Sequence, residues 1–272
     1  MAMNRASFAK TLEPGLNTLF GLEYDRYPPE YEAVFESNTS QKAYEEDLLL
    51  SGFGLAPTKT EGGSVSYDQA GQQWTARYQH ETIALAFSIT EEAEEDGQYG
   101  SLASRYTKAL ARSMSSTKEI KAANVLNNAQ TSGFNGGDGV VLLSASHPTQ
   151  NGNQSNVLAT AADLSETSLE SILINISDMK DDRGLRIAES QLRTGTADND
   201  INAIKAGGYL PQGYHIMRRL TDADAFFVQT DVPDGLKMFQ RSAMKKGMEG
   251  DFETGNVRYK VRERYSFGVT DW

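Results

Sequence analysis

Three histidines, His80, His147 and His215, are the first residues to test for chemistry, since imidazole is both the common metal ligand and the common general base. No H-x-x-H or H-E-x-x-H spacing joins them, so a metal site would need them brought together with acids in space. A serine triad has no G-x-S-x-G elbow to support it. The glycine cluster at 133–139 (Gly133-Phe134-Asn135-Gly136-Gly137-Asp138-Gly139) could cradle a phosphate, but Val140-Val141 follow where a Walker loop needs Lys and Ser/Thr. Asn135-Gly136 and Asp138-Gly139 read more simply as turn dipeptides. The acids Glu91, Glu92, Glu94, Glu95 and Asp96 could hold a divalent ion, but they also suit the first turn of a helix, where the dipole favours negative charge. Asp198-Asn199-Asp200 begins like a calcium loop and lacks its glycine and distal glutamate. Lys245-Lys246 alone is too small a basic patch for nucleic acid. The residues therefore predict no catalytic, cofactor or metal site, and a structural role is the reading that remains.

Composition narrows the class further. The 272 residues carry 39% apolar and 23% charged side chains, a globular balance. No apolar run approaches the ~20 residues of a membrane helix, and the first ten residues lack the apolar core of a signal peptide. Cysteine is absent, which excludes disulfides, thiolate nucleophiles and Cys-ligated metals. The net charge of −11 disfavours sequence-specific DNA binding and suits a protein that stays near nucleic acid without adhering to it.

The elements expected from periodicity are mixed. Residues 1–57 scatter aromatics through polar sequence, with Pro14-Gly15 and Pro28-Pro29 as interruptions and one short helix over 38–50 capped by Ser40. Residues 58–90 read as two extended pieces around Gly62-Gly63 and Ala70-Gly71. A long helix runs from about 91 to 127, capped by Thr90. Tyr99, Leu102, Tyr106, Ala109, Leu110, Ser113, Thr117 and Ile120 form its apolar arc, with Arg105, Lys108, Arg112, Ser115 and Glu119 opposite. Val140–Leu143 reads as a short buried strand, and a second helix starts after Ser165. Strands are expected over 214–219, 225–230, 235–243 and 256–267. In the last, Val257-Arg258-Tyr259-Lys260-Val261-Arg262 alternates as a half-buried sheet strand does. The class is α+β. An extended stretch feeding a long helix suits a subunit whose arm lies on a neighbour.

Several tracts together resemble a family. Arg77-Tyr78, Ala84 to Ala93, Ala122 to Ala129, Gly137-Asp138-Gly139, Ser146-His147-Pro148, Asn199 to Ala203, Leu220 to Phe227 and Arg264 to Gly268 with Asp271-Trp272 occur in an order similar to that of the major capsid (head) proteins of tailed bacteriophages. These have the Hong Kong 97-type fold, and the likeness is greatest to Mu-like prophage head subunits. The resemblance implies a structural subunit, not an enzyme, with no cofactor. It implies an N-terminal arm at 1–57, an extended β-hairpin loop at 58–90, a peripheral domain with a long spine helix at 91–184 and 236–272, and an axial domain at 185–235. It implies hexamers and pentamers enclosing double-stranded DNA in a virion assembled in the host bacterial cytoplasm. Separate scaffolding and portal proteins and decoration proteins are the implied partners, with no membrane. Assembly contacts are expected from Phe8, Phe20, Tyr24 and Tyr27 in the arm and Tyr67, Trp74 and Tyr78 in the loop. Relatives usually carry a strand and a helix between the tracts at 183–188 and 193–200; here Ala188 runs into Glu189, so the axial domain is reduced or residues are missing there. No long charged helical segment precedes the arm, so a built-in scaffolding domain is not expected. A cellular enzyme-enclosing (encapsulin-like) shell of the same fold and a metal-dependent hydrolase are the alternatives.

Overall fold

The structure, a computed structural model, describes residues 6–90, 92–93, 99–186, 208, 210, 213–230, 234–251 and 255–272; the side chains of 6–12 and 99–100 are outside that description. Its frame is a four-stranded sheet with strand order β1-β5-β6-β4. β1 is Glu36–Thr39, β4 Glu81–Ile89, β5 Leu236–Gly250 and β6 Val257–Val269. β5 and β6 form a long antiparallel pair with two register shifts, β4 lies antiparallel on the other side of β6, and β1 pairs parallel to β5. A separate two-stranded ribbon joins β2 (Tyr44–Leu50) to β3 (Gln72–Gln79), leaving 51–71 as the loop at its tip.

Alternation along β6 assigns its two faces. Tyr259, Val261, Glu263 and Tyr265 point to the buried side, while Arg258, Lys260 and Arg262 point to the exposed one. On the buried side lie α1 (Ala6–Tyr24) and α2 (Tyr99–Asn127). Leu16, Phe20, Ile89, Ala103, Leu110, Ala111, Met114, Tyr259 and Val261 make one core cluster. Tyr31, Phe35, Ala122, Met238 and Tyr265 make a second beside it. α3 (Glu166–Asp178) begins at Ser165 as expected, with Ser165 Oγ accepting from the Ser168 N–H and the Ser168 hydroxyl accepting from the Ser165 N–H.

Four expectations fail for tertiary reasons. α1 runs through Pro14, because burying Leu16 and Phe20 against α2 offsets a cost of about 3 kcal/mol for an interior proline. The helix expected over 38–50 is instead β1 and β2; helix propensities differ by at most about 0.7 kcal/mol per residue, and cross-strand pairing overrides them. Segments 214–219 and 225–230 form no strand. They are strapped down by side chains, with Arg218 bonded to Glu30 at 2.9 Å and the Thr221 N–H donating to Asn127 Oδ1 at 3.0 Å. Val140–Leu143 contributes only an isolated bridge, Asn135 to Val141. The acids at 91 and 94–96, Asp198 to Asp200 and the 188–189 junction lie outside the described residues; Glu92 is exposed, and the Ala93 N–H reaches Thr90 Oγ1 at 3.4 Å.

The long helix exists, but its buried arc is rotated. Ala103, Thr107, Leu110, Ala111, Met114, Lys118, Ala122 and Leu126 face inward, while Tyr106 and Ile120 are exposed. Small side chains let the helix sit close to the sheet, so the close-packed stripe is not the one carrying the largest apolar groups.

Candidate functional site

The ribbon β2–β3 contrasts with everything around it. Its tip exposes Leu50, Phe53, Leu55, Val65 and Tyr67, with Leu55 at 85% and Tyr67 at 94% of full exposure. Exposed apolar patches of this kind are characteristic of interaction sites. The loop has little internal structure: its bonds are few, such as the Gly54 N–H to Asp68 at 2.8 Å and the Ser51 N–H to the Gly71 carbonyl at 2.9 Å.

The base of the ribbon is the opposite. Tyr78 stacks edge-on against Phe239 at 4.8 Å between ring centres. The Tyr78 and Thr270 hydroxyls lie 2.6 Å apart, and the Thr270 hydroxyl donates to Asp47 Oδ2 at 2.8 Å, so Tyr78 is the donor in the first bond. Asp47 also pairs with Lys237, which reaches Asp234 at 2.6 Å. Burial opposes the charge on Lys237, but hydrogen bonds to Asp234 and Asp47 outweigh it and hold the ammonium above its ordinary pKa. Burial likewise opposes the Asp47 carboxylate, and hydrogen bonds from Lys237 and Thr270 hold it below the usual range. Trp74 donates from Nε1 to the Thr270 carbonyl at 3.1 Å. Two glycines make room: a Cβ at Gly137 would overlap the Trp74 ring, and one at Gly268 would lie 2.7 Å from Tyr78 Cε1. The adjoining turn is closed by His80, which bonds Ser40 Oγ at 2.9 Å and Ser266 Oγ at 3.0 Å. The ribbon is thus held at its root by a buried polar network and left free at its tip.

The expected contact residues divide along that line. Tyr67 and Tyr27 are exposed. Phe20 is 0% exposed, Tyr78 is buried, and Tyr24 is half-buried and stacked on Phe20 at 5.8 Å. Trp74 is half-buried in the ribbon root. Phe20 and Tyr78 therefore fill this chain's own interior and present nothing to a neighbour, and Tyr24 and Trp74 present little. Phe8 lies in α1, with its side chain outside the described residues. The ribbon spans 44–79 rather than 58–90, because β4 joins the main sheet. Leu50, Leu55 and Val65 were missed by the sequence reading, and Phe53 figured only among the scattered aromatics of 1–57; their apolar character in a turn-rich tract was the available signal.

The histidines do not converge. His80 is locked between two serines, and His215 is exposed. His147 is fully buried, with Nδ1 2.6 Å from Asp138 Oδ2 and its ring stacked on Trp272 at 4.3 Å. Among the described residues no group of His, Cys, Asp or Glu is arranged to hold a metal ion. The glycine cluster forms turns: Asp138 Oδ1 accepts from the Val140 N–H while Oδ2 holds His147. Both groups seat the 269–272 segment beside the ribbon root.

The geometry is that of an α+β body whose core is closed by its own side chains and which carries a projecting ribbon with an exposed apolar tip. The family described as "Phage capsid protein" matches residues 74–272, and the chain belongs to that family. Among solved structures, the bacteriophage JBD30 capsid aligns with TM-score 0.50 and 11% identity over 89% of this chain and 62% of that one. The capsid of an empty GTA particle aligns at 0.44 and 14%, over 89% and 86%, and Microbacterium phage Oxtober96 at 0.41 and 10%, over 90% and 86%. The JBD30 match shows the fold, that of Hong Kong 97-type capsid subunits. The chain spans less than two thirds of the JBD30 capsid chain. No curated protein matches the chain.

Proposed function

We propose that the chain is the major capsid subunit of a phage head, a structural protein without catalytic activity. It assembles through hexamers and pentamers into an icosahedral shell around double-stranded DNA. The observation that carries this reading is the ribbon: an exposed apolar tip on a buried polar root, in a chain of the phage capsid family. Obligate assemblies commonly bury ~2,000–5,000 Å² per interface, and a projecting ribbon supplies such area from few residues. In this reading 44–79 is the extended loop that lies on an adjacent subunit, with Tyr67, Leu55 and Phe53 as its anchors. Residues 6–35, ahead of β1, are the part of the expected 1–57 arm that remains outside the sheet and the ribbon; α1 folds them onto this chain's own core, with Tyr27 as a further contact. The β1-β5-β6-β4 sheet with α2 as spine helix is the peripheral domain, and 185–235 belongs to the axial domain. Within the family, the chain is of the Mu-like prophage head type. Scaffolding, portal and decoration proteins are separate partners, and the subunit assembles in the bacterial cytoplasm and resides in the virion.

Electron microscopy of the chain produced with and without its neighbouring structural proteins tests this. Closed shells are expected, and a ~30 kDa monomer under every assembly condition would overturn the reading. Replacing 54–70 by a two-residue turn leaves a folded subunit that forms no stable shells; normal shells from that variant would remove the ribbon from the assembly mechanism.

A further inference from the structure

The open face of the main sheet carries charge of the sign opposite to the chain as a whole. Arg258, Lys260, Arg262 and Arg264 alternate along β6 and share that face, and strand register places Lys245 of β5 directly beside Arg262. Side chains of alternate residues recur every ~6.8 Å along a strand, so the β6 cations form a row ~20 Å long. The floor around them is small: Thr82, Ala84, Ala86 and Ser88 of β4 stand opposite Arg264, Arg262, Lys260 and Arg258 in turn, and Gly247 of β5 stands opposite Lys260. The acids near this face are Glu249, opposite Arg258, and Asp251, bonded to Arg258 at 2.6 Å. No ion pair among the described residues holds Lys245, Lys260 or Arg262, and all three are exposed. At the other end the same face is covered by the ribbon root, where His80 bonds Ser266 and Tyr78 packs on Gly268; the row begins where that cover stops.

From this placement we infer that the open sheet face binds the phosphate backbone of nucleic acid without reading its sequence. Two features select that occupant. Protein interfaces centre on aromatic or aliphatic anchors, and this face has none among its described residues. Backbone contacts to nucleic acid come from Lys, Arg and small hydroxyl donors, which is the inventory here. Each contact is weak, with nonspecific dissociation constants on the order of 10⁻⁴–10⁻⁶ M, but a shell repeats the face many times and gains avidity. The inference rests on the shell reading only for that avidity; the binding itself is a property of the purified chain.

The test is a salt titration of the full chain with a 30-base-pair mixed-sequence duplex, read by fluorescence anisotropy, against the triple variant Lys245→Gln, Lys260→Gln, Arg262→Gln. The substituted side chains are exposed, so the variant melts with the parent. Loss of three phosphate contacts flattens the slope of log affinity against log salt by about 2.7 and weakens low-salt binding by roughly tenfold or more, equally for unrelated sequences. Exchanging the residues as Arg262→Lys and Lys260→Arg leaves the slope in place. An unchanged slope in the triple variant, or no binding by the parent at low salt, overturns the inference. Tighter binding of a polyglutamate of equal charge also overturns it and assigns the face to an acidic protein segment. Shell formation is scored separately by microscopy: a triple variant that closes shells but loses the slope change leaves the shell reading standing while refuting this one.

Discussion

The body of the subunit and its ribbon obey different rules. In the body, α1 and α2 cover one face of the sheet, and the large side chains Phe20, Met114, Tyr259 and Tyr265 are almost wholly enclosed. In the ribbon, polar groups are buried at the root while apolar groups stand in water at the tip. The difference teaches where each part gets its order. The body draws it from its own residues; the ribbon draws its direction from the root, and its tip has little of its own to pack against.

Substitutions can break that contrast, beginning with the largest effect. Phe20→Ala empties a fully enclosed site between α1 and the sheet and costs about 3–5 kcal/mol, read from urea unfolding of the unassembled subunit. Lys118→Met comes next. Lys118 lies 3.8 Å from the buried Glu263 carboxylate and over the Tyr31 and Tyr265 rings. Its loss strands Glu263, whose pKa burial already raises, and costs about 3 kcal/mol at pH 7. The penalty shrinks at pH 4, where Glu263 takes up a proton; a pH-independent penalty would show that packing of the lysine stem dominates.

Asp271 tests the root at a smaller scale. Burial pushes its carboxyl up to about 6, with the Trp272 N–H opposing, Asp234 and Asp138 adding, and His147 opposing. A raised carboxyl favours the fold below the unfolded value of 3.8, and that contribution is lost as pH rises through about 6. Asp271→Asn therefore stabilises at pH 7 by roughly 1–2 kcal/mol, its half-exposed position limiting the gain, and is neutral at pH 4. Thermal melts at the two pH values check this, and a gain at pH 4 equal to that at pH 7 would contradict it. Against these, replacing 54–70 at the tip changes subunit unfolding by less than about 0.5 kcal/mol, so its effect on assembly is separable from stability.

Much of the body was legible in the residues. The alternation at 257–262 identified β6 and its two faces, and Ser165 marked the start of α3. The glycines at 133–139 form turns, as their Asn-Gly and Asp-Gly dipeptides implied. Helix faces were less legible. The arc through Tyr106 and Ile120 followed side-chain size, whereas the buried arc through Ala103, Ala111 and Ala122 follows how closely the helix can approach the sheet. The helix expected over 38–50 failed because its strand partner, β3, lies more than twenty residues further on.

Sequence by itself determined the chemical alphabet: no thiols, no metal motif, an acidic whole, and a β6 that alternates charge with apolar residues. Tertiary structure decided what those letters mean. Lys245 and Lys246 are adjacent in the chain, yet β5 sends one to the open face beside Arg262 and the other inward, where its ammonium lies over Phe20 and bonds the Asn17 carbonyl. Aromatics in one N-terminal tract likewise divide between core and solvent. Period and composition are local properties; burial and partnership are set by strand register and by which elements happen to cover a face, and those exist only in the folded chain.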